Sequence, residues 1–332
     1  MQFNTSQLTT RRSVLLTAAA LAFAAPALQA QPLSDKPVRI IVGAPAGGTA
    51  DILARLVGEG LGKGLGQPVI VDNKPGGMGA IAMDSFLSAP RDGHTYLLSV
   101  NGLFSEVPHS LKPKYDPLKA VKPLVEVASS GLVLVGNAAL PPKNMAEMVS
   151  YVKANPGKVN FASYTAGTLS HVLGLQLNKA AGLDMGHIGY KGSPPALQDV
   201  VSGQVQFMFD GLATSVPFIK AGRLRAFAVS SPERSHALPD VPTLAELGYK
   251  DLTKTAWLAL WTVPDAPASA QTRVREEALK VLAQPAIRDR LMGLGLNVNT
   301  ANPPAPEEMS KSLAADYKSI GEILHSVNYK PQ

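Results

Sequence analysis

Short apolar runs alternate with stretches of helical periodicity from Val38 onward. The runs at 38–44, 68–73 and 95–100 are short, apolar and bounded by turn residues, as buried strands are. Residues 49–66 instead repeat apolar side chains every three to four positions, the spacing of one helix face, with Thr49 as the expected N-cap. This order of strand, helix and strand predicts an α/β fold with a mainly parallel sheet.

The same alternation continues through the rest of the chain. A proline-rich stretch from Pro232 to Pro267 interrupts it. The other predicted elements are strands at 131–137, 159–164 and 224–231, helices at 144–156, 165–182, near 270–283 and near 306–325, and a helix, turn and strand over 195–211. The chain has 332 residues, and because single domains are typically about 150 residues long, this length predicts two globular units.

Residues 1–30 have the pattern of a secretory signal peptide. Arg11 and Arg12 precede an apolar run at 14–25, and small residues follow it. A run of this length is too short for a membrane span. We therefore expect export to the periplasm as a soluble protein. The TTRRSVLL segment resembles a twin-arginine signal without its usual phenylalanine, so the Sec and twin-arginine routes both stay open.

Composition excludes several kinds of chemistry. The chain has no cysteine, which rules out disulfides, thiolate catalysis, cysteine-ligated metal sites and a lipid anchor on cysteine. The formal net charge of +6 falls by two when the signal is removed. Lysine and arginine are dispersed without aromatic interleaving, so nucleic-acid binding is not expected.

Two predicted corners, where a strand meets a helix, carry glycine and hydroxyl residues. They are VGAPAGGTAD at 42–51 and FASYTAGTLSH at 161–171. Free N–H groups at a helix start can bind an anion, and glycine lets a ligand approach the backbone. Neither corner has the lysine of a P-loop, which favours a small carboxylate over a nucleotide. Ordinary tight turns are the alternative for either corner taken alone.

Other candidate motifs are weak. Gly77, Gly79 and Ala82 match a dinucleotide-binding fingerprint, but an extended loop is expected there because proline and glycines crowd the turn. Asp51 lies in the first turn of a helix, where it can complement the dipole, hold a water or meet a polar ligand group. Ser170 and His171 are neighbours on a helix and point apart, so no nucleophile and base pair is indicated. We expect no metal, no cofactor and no enzymatic activity.

The chain resembles the Bug receptors, the extracytoplasmic substrate-binding proteins of tripartite tricarboxylate transporters. The resemblance rests on PAGGTADILARLV, YKGSPPALQDVVSGQVQFMFD and RSHALPDVPTLAELGY and extends over the whole mature chain. It implies an α/β, periplasmic-binding-protein-like (type II) fold with two lobes, a hinge and a cleft between the lobes. The implied lobes are residues 31–101 with 226–332, and residues 102–225.

The resemblance also implies the ligand-binding residues. In the family, backbone amides and waters at the two corners hold the ligand's carboxylate. The implied residues are Pro45, Ala46, Gly47, Gly48, Thr49, Asp51, Asn101, Ser163, Tyr164, Thr165, Gly167, Thr168, His171 and Asp210. Gly43 and Ala44 replace the family's proline and aromatic residue, and Tyr164 and Thr165 replace small residues. We hypothesise that Tyr164 moves the aromatic wall to the other side of the cleft.

A receptor for a small organic carboxylate is the function that these features favour. Its expected partners are the ligand and the membrane subunits of the transporter, and a monomer is expected. Two alternatives stay open, which are a binding module that feeds a two-component sensor kinase and a secreted hydrolase or dehydrogenase. Backbone amides do not specify the rest of the ligand, so tricarboxylates, dicarboxylates, amino acids and aromatic acids all stay open as ligands.

Overall fold

Two five-stranded sheets form the framework of the protein. A computed structural model describes residues 36–326 and Tyr329, and the predicted signal segment 1–30 lies outside them. The first sheet has the strand order β2-β1-β3-β10-β4 and the second β7-β6-β8-β5-β9. The strands are β1 Val38–Val42, β2 Val69–Asn73, β3 Thr95–Val100, β4 Lys122–Ser130, β5 Leu132–Asn137, β6 Asn160–Ser163, β7 Gly186–Gly189, β8 Phe207–Gly211, β9 Leu224–Val229 and β10 Ala256–Thr262.

Both sheets are mixed, which corrects the prediction of a mainly parallel sheet. β1 is parallel to β2 and β3, and β6 is parallel to β7 and β8. However, β10 is antiparallel to both of its neighbours, and so is β5. The parallel pairs follow helical crossovers within one sheet. The strand that precedes β5 along the chain, β4, lies in the first sheet, and the strand that precedes β10, β9, lies in the second sheet. No helical crossover within one sheet therefore sets the direction of β5 or β10.

Helices cover the faces of both sheets. They are α1 Thr49–Leu65, α2 Ala80–Leu87, α3 Gly102–Ser105, α4 Met145–Ala154, α5 Leu169–Ala181, α6 Ser193–Ser202, α7 Leu212–Lys220, α8 Ala268–Leu282, α9 Pro285–Gly293 and α10 Pro306–Ser326. Two of these elements correct the sequence interpretation. A short 3₁₀ turn at Gly77–Gly79 and helix α2 replace the expected extended loop. In addition, β10 lies inside the proline-rich stretch 232–267, where the sequence pattern predicts no strand, and all seven of its residues are buried.

Helix α1 packs through a buried apolar face and lies close to helix α8. Its buried face includes Leu53, Val57 and Leu61, spaced at one helical turn. Glycine in a helix interior costs roughly 0.5–1 kcal/mol relative to alanine. At Gly60 the reason for glycine is visible, because a Cβ atom there would lie 2.6 Å from a methyl carbon of Val281 on α8. The absence of a side chain therefore lets α1 pack closely against α8.

The chain passes between the sheets at two adjacent places. Gly131 alone separates β4 from β5, and residues 230–255 lead back from β9 to β10. Ser230 ties the two crossings together, since the Leu132 N–H donates to its Oγ at 2.9 Å and that hydroxyl donates to the Lys254 carbonyl at 2.7 Å. We refer to residues 36–130 with 256–326 as the first lobe and to residues 132–229 as the second lobe. These ranges differ from the predicted ones, because β4 lies in the first sheet and the whole of β9 in the second.

Within residues 36–326, no helix combines the length and the apolar composition that crossing a bilayer requires.

Candidate ligand-binding site

The first corner joins β1 to α1 through a left-handed glycine. Gly47 has φ +80°, a conformation that side chains rarely adopt. Its N–H donates to Oδ2 of Asp51 at 2.9 Å, and Arg55 forms an ion pair with the same carboxylate at 2.9 Å. Burial acts to raise the pKa of Asp51, but the bonds from Arg55 and Gly47 outweigh it and hold that pKa below its ordinary value. Asp51 thus binds its own turn and its own helix.

The backbone of this corner is available to a ligand. Ala46 and Gly47 are exposed, and Pro45 and Thr49 are half-buried. The N-cap is Gly48, which corrects the expectation for Thr49, and no side chain caps the helix. The first N–H groups of a helix have no intrahelical partner and carry its positive dipole end. The first turn of α1 can therefore bind an anion.

The second corner joins β6 to α5 and is ordered by a histidine. Gly167 has φ +82°, and its N–H donates to Nδ1 of His171 at 3.0 Å. The His171 ring packs on His187, with the ring centres 4.0 Å apart. Burial, aided by His187, lowers the pKa of His171 to about 3. His171 is thus neutral near pH 7 and fixes the turn that begins α5.

A buried hydroxyl network anchors Tyr164 in the second lobe. The Tyr164 hydroxyl donates to Asp210 at 2.9 Å and accepts the Gly211 N–H at 2.5 Å. Thr214 and Ser215 also donate to Asp210, at 2.7 and 2.6 Å. Burial raises the pKa of Asp210, although these hydroxyl donors oppose the shift. The Tyr164 hydroxyl is thus committed to the second lobe, and its half-buried ring packs against the hydrophobic core of that lobe.

The first corner lies directly against the second lobe. A Cβ atom at Gly192, in the loop before α6, would lie 2.7 Å from Cδ of Pro45. A Cβ atom at Gly211 would lie 2.7 Å from the Thr49 hydroxyl and 3.4 Å from that of Tyr164. Glycines thus occupy the points where the lobes meet.

A carboxylate of the first lobe reaches the second corner. Oε2 of Glu106 accepts the N–H of Leu169, the first residue of α5, at 2.6 Å. Burial, aided by the negative charge of Asp316, raises the pKa of Glu106 to about 7. The hydrogen bond from the Leu169 N–H acts to lower that pKa but does not outweigh burial. Next to it, the Asn101 amide donates to Asp316 at 2.7 Å and its oxygen accepts the Trp257 N–H at 3.2 Å. Asn101 therefore organises the first lobe near Glu106.

The predicted site residues separate into two sets by exposure. The exposed or half-buried ones are Pro45, Ala46, Gly47, Thr49, Tyr164, Thr165 and Thr168. The buried ones are Gly48, Asp51, Asn101, Ser163, Gly167, His171 and Asp210. The side chains of Asp51, Asn101, Ser163, His171 and Asp210 bond to neighbouring protein groups.

Sequence reasoning missed Glu106, Gly192 and Gly211. Glu106 lies in GLFSEVPHS, where no periodicity or motif marks it. Gly192 lies in the quoted YKG motif, which was the available signal. Among the described residues, no group of three or more His, Asp or Glu side chains could hold a metal ion.

Replacing Glu106 by glutamine is expected to change how stability depends on pH. The folded-state pKa of about 7 lies above the ordinary 4.5, so folding takes up a proton in this window. The contribution of this proton uptake by Glu106 to the free energy of unfolding is fully present below pH 4.5 and is lost as the pH rises through 7. The free energy of unfolding of the wild type should therefore fall, relative to Glu106→Gln, by roughly 3 kcal/mol across the window. Urea denaturation at several pH values measures this, with exposed Glu147→Gln as the control for loss of one charge. Parallel profiles for wild type and Glu106→Gln would contradict it.

Comparisons with known proteins agree with this architecture. A family model described as "Tripartite tricarboxylate transporter family receptor" (TctC) matches residues 53–328. A UPF0065 protein of Bordetella bronchiseptica is 33% identical over 321 residues, which cover 96% of this chain and 94% of the relative. The periplasmic binding protein BugD superposes with a TM-score of 0.85 at 31% identity, covering 90% of this chain and all of BugD. MatC from Rhodopseudomonas palustris, solved with bound malate, gives a TM-score of 0.81 at 29% identity, covering 87% of this chain and 99% of MatC.

The protein has two mixed sheets covered by helices, and its solved structural neighbours are periplasmic binding proteins. It is therefore a two-lobed α/β protein of the periplasmic-binding-protein class, which confirms the predicted fold class. The family match then makes the identification specific. The chain belongs to the TctC family of tripartite tricarboxylate transporter receptors, as the sequence resemblance predicted.

Proposed function

We propose that this protein is a periplasmic receptor that closes its two lobes around a small organic carboxylate. The observation that carries the proposal is that the glycine-bearing first corner, with its open helix start, lies against Gly192 and Gly211 of the second lobe. A ligand shifts a two-state equilibrium only if it binds one state better. An acid seated on the first corner while touching the second lobe meets this condition. MatC, which has the same fold, holds malate.

We further propose that the receptor delivers its ligand to the membrane subunits of a tripartite tricarboxylate transporter. The family match supports this partner. Residues 1–30 would serve as the export signal, and the absence of cysteine leaves no site for a lipid anchor. Loss of uptake of the identified acid in cells lacking the receptor would support transport. Unchanged uptake with a lost transcriptional response would favour the sensor alternative.

A binding screen tests the carboxylate itself. Native mass spectrometry of protein purified without refolding identifies retained ligand, and titration calorimetry measures a panel of mono-, di- and tricarboxylates. Each acid is paired with its amide, which keeps the shape and removes the charge. We expect at least one acid to bind while its full amide does not. Equal binding of acid and amide, or no binding by any acid, would overturn the proposal. NMR after long incubation should show the acid unchanged, since a product would indicate an enzyme.

A further inference from the structure

Glu106 places a carboxylate of the protein at the start of α5. It lies in the first lobe, after α3, and is only 6% exposed. Its bond to the Leu169 N–H, at 2.6 Å, crosses from the first lobe to the second corner. A helix start favours one negative charge, and at α5 the protein supplies that charge itself.

Asp316 and Lys254 are the charged side chains that line one small cavity together with Glu106. Burial, with a smaller effect from the charge of Asp316 on α10, raises the pKa of Glu106; burial and the neighbouring Asp210 raise the pKa of Tyr164, to which the charge of Glu106 adds a little. Lys254 lines the same small cavity, of about 30 Å³, and its Nζ donates to the Ser319 hydroxyl at 3.4 Å. That volume is enough for about one water molecule. The cavity offers no seat for an organic anion.

We infer that Glu106 takes the position of a ligand carboxylate at the second corner, so that this receptor selects acids with one carboxylate and an opposite end without negative charge. This inference rests on the proposed function. The single carboxylate binds at the first corner, where Asp51 is neutralised by Arg55. A diacid would have to displace Glu106 from Leu169 or hold a second anion beside it. Both alternatives are unfavourable because like charges close together in a poorly solvated site repel strongly.

Matched diacids and half-amides test this inference. Succinate with succinamate, and adipate with its half-amide, keep length and shape; each pair differs by one charge and by one acceptor oxygen that the amide replaces with an NH2 donor. By calorimetry at pH 8, wild type should bind the half-amide at least about tenfold more tightly than the diacid. Glu106→Gln should reduce that preference to about twofold or less, and Glu147→Gln, at an exposed helix start, should leave it as in wild type.

A pH series on the wild type adds a second measurement that needs no variant to fold. At pH 6 Glu106 takes up its proton, so the preference for the half-amide, corrected for the fraction of the diacid that is itself monoprotonated, should shrink in wild type and stay unchanged in Glu106→Gln. Wild type that binds the diacid as tightly as the half-amide at pH 8, or a preference that Glu106→Gln and pH leave unchanged, would overturn the inference while the receptor function stands. If neither diacids, half-amides nor monoacids bind, the proposed function itself fails.

Discussion

Replacing Gly192 by alanine is expected to weaken ligand binding by about 5- to 150-fold. The new Cβ atom would lie 2.7 Å from Cδ and 3.1 Å from Cγ of Pro45. Pro45 has a rigid ring and lies on the first corner, so the lobes must separate to relieve the overlap. Overpacking of this kind costs about 1–3 kcal/mol, which converts to the stated loss of affinity when closure and binding are coupled. Titration calorimetry with an acid found in the screen measures the effect.

Gly76→Ala is the matched control for this substitution. Gly76 has φ 110° and ψ 170°, and Gly192 has φ 112° and ψ −179°, so alanine meets the same backbone strain at both. The Cβ atom at Gly76 would meet only the flexible end of Ile81, at 3.3 Å. Both variants should therefore lose similar stability in urea denaturation, but only Gly192→Ala should lose affinity. Equal affinities would show that Pro45 and Gly192 do not touch in the bound state.

Removing the carboxylate of Asp210 is expected to lower the free energy of unfolding by about 3–5 kcal/mol. Asp210 is completely buried, and Tyr164, Thr214 and Ser215 donate to it. Asp210→Ala leaves these hydroxyls without their acceptor, and each unpaired buried group costs about 1–3 kcal/mol before relaxation. Asp210→Asn keeps one acceptor oxygen and should cost less, about 1–3 kcal/mol. Urea denaturation monitored by circular dichroism measures both.

Asp199→Ala provides the comparison for Asp210. Asp199 is half-buried and accepts one bond from a tyrosine, the Tyr190 hydroxyl, at 2.6 Å, so its loss should cost no more than about 1 kcal/mol.

The raised pKa of Asp210 also determines the direction in which its contribution to stability changes with pH. Its contribution is fully present below about pH 4, the ordinary range for aspartate, and declines as the pH rises through the folded-state pKa. The stability advantage of wild type over Asp210→Asn should therefore shrink with rising pH. Similar losses for Asp199→Ala and Asp210→Ala would contradict the role of the buried network.

Much of the fold could be predicted because its signals are local. The period of the apolar residues in 49–66 predicts α1, and Gly47 and Gly167 each mark a turn that requires positive φ. These signals need only neighbouring residues to be read. They placed both corners at strand ends and the chain in the α/β class.

Two parts of the fold could not be predicted in this way. β10 is buried throughout, so its sequence shows no alternation of apolar and polar residues to set it apart within a proline-rich stretch. Its antiparallel direction follows from its arrival from the other sheet, which no local pattern records. The boundary between the two lobes at Gly131 could not be predicted for the same reason. The assignment of β4 to the first sheet depends on its pairing with β10, which is distant along the chain.

The sequence by itself determined the two corners, since these depend on residues that are close together along the chain, and it determined the family and its two-lobed class through a resemblance that extends over the mature chain. Tertiary structure alone decided which side chains are free for a ligand. It closed Asp210 into a hydroxyl network, set Gly192 against Pro45 and placed Glu106 on the N–H of Leu169, 63 residues away. These contacts join distant segments across two lobes, and they form only when the packing of both lobes brings those segments together.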